Sequence, residues 1–307
     1  MNIIEKINDL WINPEKADPG IVRGISFYPS AAMSVDLENP TKNIGACMRA
    51  EYYRCKRYSR TEPTSLYSEW IMSFGKHLEV WLIERLKEAG IYAGSNMKFN
   101  YPAFPLISGE IDILVKEPDG SLSVIENKTY NGSLYQVQKK LGGSGGRSPT
   151  TPTPKLGHVM QSFIYLHSLS KISKVYLTYI DRSAGDPVNQ LQFDITSKTE
   201  EGIGSFAHYE IQRPFGFYSE TIKNFTFESI LEGYRTLLKH LQDNKLPPKS
   251  YYLSMSPEEV ADAHASGEVS KTKYENYLRN PERYPISSWN CSYCNYRSQC
   301  IKDSEEE

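Results

Sequence analysis

The chain has 307 residues, of which 39% are hydrophobic and 23% are charged, as in an ordinary globular protein. Its formal net charge of −2 excludes a polycation that coats nucleic acid over its whole surface, so any such contact must use local basic patches. No run approaches about 18 apolar residues, and MNIIEKINDLW lacks the blocks of a signal peptide. We therefore expect no membrane partner and a cytoplasmic location.

The predicted elements begin with an amphipathic helix over residues 68–89, which ends at Gly90. Two strands follow around a turn at Pro118-Asp119-Gly120, and residues 129–155 form a long polar loop. The remaining elements are, in chain order, a helix in KLGHVMQSFIYLHSLS, strands in KVYLTYI, NQLQFDI and AHYEIQR, and helices in FTFESILEGYRTLLKHLQDN, SPEEVADAHA and TKYENYLRN. This order predicts an α/β core with helical additions at both ends.

The two strands around the turn carry charged residues where a buried strand should be apolar. A three-residue loop with Gly120 in the left-handed region makes the numbers of facing residues sum to 238. Asp112 then lies opposite Glu126, on the face that also carries Glu110 and Lys128. The other face carries apolar residues: Ile111, Ile113, Val115 and Ile125.

This charged face suggests a chemistry. Two carboxylates about 5 Å apart repel each other unless a cation lies between them, and Mg²⁺ or Mn²⁺ prefers such oxygen ligands. Lys128 follows Glu126 by two residues and would reach an anion that the metal holds. A metal activates water and a lysine stabilises charge, so the set favours phosphodiester hydrolysis. A solvated sheet face with Glu–Lys pairs is the alternative interpretation.

Five cysteines are present: Cys47, Cys55, Cys291, Cys294 and Cys300. An odd, clustered set in a reducing compartment argues against disulfides and for metal binding with one thiol left over. The last three need a fourth ligand, which an upstream cysteine supplies. Four thiolates bind Zn²⁺ or an iron–sulfur cluster, and the spacing does not separate these two.

Several motifs together resemble a known family. Gly-x-Ile-Asp, then 13 residues, then Glu-Asn-Lys is similar to the PD-(D/E)xK nuclease superfamily. Gln161 and Tyr165 in QSFIY resemble the Gln-x-x-x-Tyr helix motif of RecB-type nucleases. CMRAEYY and WNCSYCNYRSQC are similar to the first and last cysteines of iron–sulfur RecB-type nucleases. Over roughly residues 45–300, the chain resembles the CRISPR-associated protein 4 family and its phage-encoded relatives.

The resemblance implies roles for the residues of the hairpin and of the following helix. Asp112 and Glu126 would be metal ligands, the backbone carbonyl of Asn127 a further ligand, and Lys128 the catalytic lysine. Gln161 and Tyr165 would lie beside the active site and contact DNA.

The chain departs from the family at one position. The family often places a histidine four residues after a helix glycine as an extra metal ligand. Here the fourth residue after Gly75 is Glu79, and His77 lies nearby. Periodicity does not choose between these two residues. Position favours Glu79, and a carboxylate suits the same hard ion.

The resemblance also assigns the cysteines. It favours a [4Fe–4S] cluster held by Cys47, Cys291, Cys294 and Cys300, with Zn²⁺ as the alternative. Cys47 is preferred because Arg49 and Tyr52 follow it in the manner of the family, which leaves Cys55 as the extra thiol; the reverse assignment stays open. Such a cluster would join the two ends of the chain.

Segment 49–60, RAEYYRCKRYSR, interleaves cations and aromatic rings, a pattern that binds single-stranded nucleic acid. The DNA-contacting candidates are Arg49, Tyr52, Arg54 and Arg57. A solvated helix face with core tyrosines is the alternative. The loop 129–155 also carries basic residues that would close over a strand, namely Lys139, Lys140, Arg147 and Lys155.

These observations predict a restriction-endonuclease-like fold: a mixed sheet flanked by helices, with terminal helical segments joined by the cysteine site. The expected divisions of this compact unit are 1–60, the nuclease core 61–215, and 216–307. The resemblance implies a Mg²⁺- or Mn²⁺-dependent DNA exonuclease, 5′ to 3′ and preferring single strands or free ends. It would work with recombination or CRISPR-adaptation proteins in a bacterial or archaeal host, or for a phage. The alternatives are a non-catalytic DNA-binding adaptor subunit and a structure-selective endonuclease.

Overall fold

A computed structural model describes residues 25–62, 66–130, 153–181, 190–211, 217–265 and 269–305. The strands are β1 (Met33–Val35), β2 (Asn43–Gly45), β3 (Tyr92–Asn100), β4 (Ser108–Lys116), β5 (Leu122–Tyr130), β6 (Ile172–Asp181), β7 (Gln190–Glu200), β8 (Gly204–Ile211) and β9 (Tyr218–Thr221). The helices are α1 (Met48–Cys55), α2 (Leu66–Glu88), α3 (Leu156–Ser168), α4 (Phe227–Gln242), α5 (Pro257–Ala265), α6 (Lys271–Arg279), α7 (Trp289–Ser292) and α8 (Arg297–Glu305). The predicted basic contacts at Lys139, Lys140 and Arg147 lie outside the described residues.

Seven strands form one mixed sheet in the order β3-β4-β5-β6-β7-β8-β9. Every neighbouring pair is antiparallel except β5 and β6, which are parallel. A parallel pair needs a crossover connection, and α3 lies in that connection. With helices packed on this sheet, the predicted α/β class is confirmed. Among the helices in the described ranges, none is long and apolar enough to cross a membrane.

The turn between β4 and β5 has the predicted form. Gly120 has a φ of +86°, and its N–H donates to the carbonyl of Glu117 at 2.9 Å. Asp119 Oδ1 accepts the N–H of Ser121 at 2.9 Å and so stabilises the turn. Ile113 pairs with Ile125, and their numbers sum to 238, so the predicted register is confirmed from this pair to the turn. The pairing of β4 with β5 ends at this pair, so the predicted facing pairs Asp112–Glu126 and Glu110–Lys128 are not part of it.

Helices cover both faces of this hairpin. On one face, side chains of α2 pack against Ile113, Val115 and Ile125, and these α2 residues are Leu82, Ile83 and Leu86. On the other face, Leu114 and Val124 join the main core together with apolar residues of α3. Ile111 also lies in the main core, although simple alternation places it with Ile113. The hairpin is therefore held from both sides, which fixes the position of its charged end.

The terminal segments pack onto the same core. Tyr53 of α1 is fully buried near Tyr296, and its hydroxyl donates to Asp303 Oδ2 at 2.7 Å. Gly233 of α4 allows a close approach to β1, since a Cβ there would lie 2.3 Å from the Met33 carbonyl oxygen. A small separate apolar cluster lies around α5 and α6, and its buried members are Val260, Ala263, Val269, Tyr277 and Ile286. Segments 1–60 and 216–307 thus both contribute to the core that surrounds the sheet.

Candidate active site

Asp112 lies at the point where the two strands of the hairpin stop pairing. The paired register ends at Ile113 and Ile125, and the Asp112 carboxylate accepts the backbone N–H of Asn127. The pKa of Asp112 is raised to about 8, first by burial and then by the negative charges of Glu126 and Glu79, against the opposing effect of Lys128. The site therefore favours a proton or another cation on this carboxylate.

Glu126 is the most buried acid of the site, with 1% of its surface exposed. Its Oε1 forms an ion pair with Lys128 Nζ. Its Oε2 is buried, and no residue in the described ranges forms a hydrogen bond with it. The Tyr165 hydroxyl lies near enough to this carboxylate for Glu126 to raise the pKa of Tyr165. A buried carboxylate oxygen without a close hydrogen bond is still costly, because it has lost its hydration.

The third carboxylate comes from α2. Gly75 brings this helix next to β5, since a Cβ at Gly75 would lie 3.9 Å from Thr129 Oγ1. One turn later, partial burial raises the pKa of Glu79, and Glu126 and Glu110 raise it further. His77 is exposed, and its Nδ1 lies 2.8 Å from the carbonyl oxygen of Ser73 in its own helix. The structure thus places Glu79, and not His77, close to the other carboxylates.

A hydrogen-bonded chain joins Lys128 to α3. Lys128 Nζ donates to Gln161 Oε1 at 3.1 Å, and Gln161 Nε2 donates to the hydroxyl of Tyr165 at 2.8 Å. The Tyr165 hydroxyl in turn donates to the carbonyl of Glu110 at 3.4 Å. Gln161 and Tyr165 are both buried, so their hydrogen bonds hold Lys128 from the interior side. The predicted neighbours Lys128, Gln161 and Tyr165 are brought together.

The donor set fits a hard divalent cation. In the described ranges, no three His, Cys, Asp or Glu side chains converge closely enough in this conformation to hold a metal ion. The unpartnered Oε2 of Glu126 and the mutual repulsion of Asp112, Glu126 and Glu79 are nevertheless what a cation between them would relieve. The structure therefore offers suitable ligands that must draw together to bind the ion.

Four cysteines line a small cavity between α1 and the carboxyl-terminal segment. They are Cys47, Cys291, Cys294 and Cys300. All four are free thiols. The pKa of Cys291 is raised to about 12, mainly by burial and also by the proximity of Cys47, Cys294 and Cys300. Thiols that disfavour each other's ionisation fit a site in which a metal centre supplies positive charge.

Cys55 is not among the residues that line this cavity. It lies at the far end of α1, where its sulfur accepts a hydrogen bond from Arg54 Nη2 at 3.5 Å. The structure thus groups Cys47, rather than Cys55, with the three carboxyl-terminal cysteines.

The predicted DNA-contacting residues of α1 divide into two groups. Arg49 and Tyr52 are buried, with 1% and 4% of their surfaces exposed, and Arg49 Nε donates to the carbonyl of Pro247 at 2.7 Å. Neither side chain lies on a surface that DNA would reach, so we do not carry them into the proposal. Arg54 is partly buried and ion-paired with Glu51 at 2.6 Å, whereas Arg57 is exposed.

The sequence patterns did not indicate two residues that lie beside Lys128. Tyr179 of β6 is the register partner of Lys128, and His158 of α3 lies with its Nδ1 3.0 Å from the Tyr179 hydroxyl. One signal was available: His158 precedes Gln161 by three residues, so the two share a helix face. The tyrosine could not be found without the strand register.

Comparisons with known proteins do not assign a family. No protein-family model matches the sequence, and no curated protein matches it significantly. The crystal structure of SSO0001 aligns with 96% of this chain and 89% of its own, at 15% sequence identity and a TM-score of 0.37. A likeness of this degree supports no conclusion about function.

Proposed function

We propose that the protein is a Mg²⁺- or Mn²⁺-dependent DNA nuclease, acting as an exonuclease on single-stranded DNA or free ends. The observation that carries this proposal is the buried Oε2 of Glu126, which has no hydrogen-bond partner in the described ranges and lies beside Asp112 and the Lys128 ion pair. A purely structural hairpin would gain nothing from burying this set of charges.

Asp112, Glu126 and Glu79 would hold the ion, with the carbonyl of Asn127 as a further ligand. When bound, the ion would supply positive charge to the phosphate and lower the pKa of a water molecule. Lys128 would stabilise the negative charge that grows on the phosphate, and Gln161 and Tyr165 hold the lysine in position. The products would be a 5′-phosphate and a 3′-hydroxyl.

We further propose that Cys47, Cys291, Cys294 and Cys300 hold a [4Fe–4S] cluster, with Zn²⁺ as the alternative. Its role would be structural, because the four thiols join α1 to the last segment of the chain and lie away from the carboxylates. Fastening these segments would restrain both ends of the core around the sheet.

A non-catalytic DNA-binding adaptor is the second candidate. One observation favours it: among the described residues, no three potential ligands converge to hold a metal ion. Against it stands the presence of Asp112, Glu126 and Lys128 in one buried group, since a scaffold would need none of these charges.

Digestion of end-labelled single-stranded DNA with Mn²⁺ distinguishes these candidates. We expect Lys128→Ala to lower the rate at least about 100-fold, the usual effect of removing one charge-stabilising donor. Lys116→Ala is the matched control, because Lys116 is exposed at the other end of the same hairpin. Covalently closed circular DNA, tested in parallel, would be cut only by an endonuclease.

If wild type and Lys128→Ala are both inactive, or equally active, the catalytic assignment is wrong. A wild type that binds DNA without cleaving it under any divalent ion would instead support the adaptor.

A further inference from the structure

The cavity that the four cysteines line also has cations in its wall. Arg49, Lys249 and Arg297 line it together with the thiols. Positive charges that gather around one small space repel one another unless negative charge lies among them. Neutral thiols do not supply that charge, but thiolates bound to a metal do. The composition of the wall therefore bears on what the cysteines hold.

Arg49 shows how one of these cations meets the sulfur atoms. Its side chain is buried in the first turn of α1, where its Nε donates to the carbonyl of Pro247 at 2.7 Å and its Nη1 lies 3.5 Å from Ser304 Oγ. Burial raises the pKa of Cys300, and the guanidinium of Arg49, which also hydrogen-bonds to this thiol, opposes the rise. Arg49 is thus held by the protein with its charge at the Cys300 sulfur.

Arg297 is held differently. Its backbone N–H, at the start of α8, donates to Glu62 at 2.9 Å. Its side-chain Nε is buried, and no hydrogen-bond partner for it is found among the residues that the structure describes. The positive charge of Arg297 acts on Cys291, since it opposes the rise that burial causes in the pKa of this thiol. A buried N–H without an acceptor is costly, and an acceptor inside the cavity would remove that cost.

The acceptor that fits this donor is a metal-bound sulfur. Four thiolates bring four negative charges, and a Zn²⁺ ion or the core of an oxidised [4Fe–4S] cluster offsets only half of them. A centre of either kind would therefore present negatively charged sulfur atoms to the wall of the cavity. Sulfur already acts as an acceptor there, because Cys294 Sγ accepts the backbone N–H of Tyr296 at 3.4 Å.

We propose that Arg297 donates from its side chain to a sulfur of the metal centre and offsets the excess negative charge there, as Arg49 does at Cys300. This inference rests on the proposed function, and within it on the metal centre rather than on the nuclease. Arg297 is then a positioning residue and not a ligand. It slows the loss of the metal, and in an iron–sulfur centre it favours the reduced state, because hydrogen bonds and net charge at the sulfurs set the reduction potential.

Loss of metal to a chelator tests this role for either metal. The full-length protein is purified without oxygen and mixed with excess EDTA, and the iron and zinc that stay bound are measured by mass spectrometry after desalting. We expect Arg297→Gln to lose its metal about tenfold faster than wild type, the usual scale of effect when a partner of a metal ligand is removed. Lys302→Gln is the matched control, because Lys302 is an exposed cation of the same helix that does not line the cavity.

Arg297→Lys separates the charge from the hydrogen bond. It keeps a positive charge but lacks the Nε donor, so we expect a rate of metal loss between those of wild type and Arg297→Gln. If Arg297→Gln does not fold, the comparison of Arg297→Lys with wild type and Lys302→Gln decides the question.

An iron–sulfur centre allows a second measurement, which a merely structural role of Arg297 would not affect. The midpoint potential is determined by a redox titration followed by electron paramagnetic resonance. We expect Arg297→Gln to lower it by about 60 mV, which corresponds to a tenfold change in a one-electron equilibrium. Lys302→Gln should keep the potential of wild type.

The outcomes separate this inference from the proposed function. If wild type carries iron or zinc, but Arg297→Gln loses it no faster than Lys302→Gln does, the role of Arg297 is overturned and the centre stands. An unchanged potential in an iron–sulfur centre would overturn it as well. If wild type carries neither metal, both the centre and the inference are wrong. None of these results depends on cleavage, so a failure of the nuclease proposal appears only in the digestion of DNA.

Discussion

At the scale of single residues, Asp112 makes stability depend on pH. Its pKa in the folded protein is about 8, far above the ordinary 3.8, with burial as the main cause. Between these two values the folded state binds more protons than the unfolded state does, so the free energy of unfolding falls as pH rises through that window. A cation that binds here must displace the proton, so its uptake should release protons below pH 8.

Asp112→Asn should therefore stabilise the protein in EDTA. The amide keeps an oxygen to accept the Asn127 N–H, but it cannot ionise. We expect the variant and wild type to unfold at similar urea concentrations near pH 4. The variant should gain an advantage that grows up to pH 8 and then stays constant. An advantage that is absent, or that does not change with pH, would show that the carboxyl is not buried among other acids.

The sequence identified the acids but not the environment of the basic residues. The Pro-Asp-Gly turn fixes the register as far as Ile113 and Ile125, which puts Asp112 and Glu126 at the next positions of the two strands. The burial of Arg49 could not be predicted, because an Arg/Tyr-rich segment has the same sequence pattern whether it is buried or exposed. Its burial depends on a carbonyl 198 residues away, at Pro247.

At the scale of elements, the start of α8 is linked to residues 61–62. Glu62 accepts the N–H groups of Arg297 at 2.9 Å and Ser298 at 3.0 Å, and the N–H of Thr61 donates to the carbonyl of Asn295 at 2.9 Å. Partial burial alone would raise the pKa of Glu62, but hydrogen bonds from Ser298, Thr61 and the backbone lower it overall. The carboxylate caps the helix from outside its own segment.

Glu62→Ala should destabilise the protein by about 1 kcal/mol at pH 7, the usual effect of losing a helix cap. Because the folded pKa lies below the ordinary 4.5, this contribution is present above that pH and is lost as the pH falls through the folded pKa. Glu84→Ala, an exposed position on α2, serves as the control in the same urea titrations. An equal effect of both variants at pH 7 would contradict the cap.

The regular helices and central strands followed from the sequence, but the edges of the sheets did not. Residues 156–168 and 227–242 have helical periodicity, and the structure has helices there. Strand β3 was not predicted, because YAGSNMKFN carries glycine, serine and asparagine at positions where an alternating pattern would be expected. It forms by pairing with β4, a tertiary effect that outweighs local preference.

At the scale of the whole molecule, residues 53–62 meet residues 295–303. Hydrogen bonds from Tyr53 to Asp303 and around Glu62 already connect them. A metal centre held by Cys47 and Cys300 would add a cross-link that closes a very long loop, worth about 5 kcal/mol in the loop-entropy model. The spacing of the last three cysteines predicted that an upstream cysteine joins them, and Cys47 was preferred from the family resemblance. The structure has all four of these thiols lining one cavity.

Cys291→Ser should therefore loosen both ends together. We expect faster hydrogen exchange at residues 47–62 and 289–305 in the same sample. If the centre is iron–sulfur, the absorbance at about 400 nm should also be lost. Cys55→Ser is the matched control, because Cys55 does not line the cavity. Loosening of one segment alone, or an equal effect of Cys55→Ser, would contradict a shared site.

The central claim is that the carboxylates at the end of the hairpin bind a divalent cation. Its most direct test is a Mn²⁺ titration followed by electron paramagnetic resonance, on wild type, Glu126→Gln and the exposed control Glu84→Gln. We expect one Mn²⁺ site per chain in wild type and in the control, and its loss in Glu126→Gln. Equal binding by all three proteins, or no binding by wild type, would contradict it.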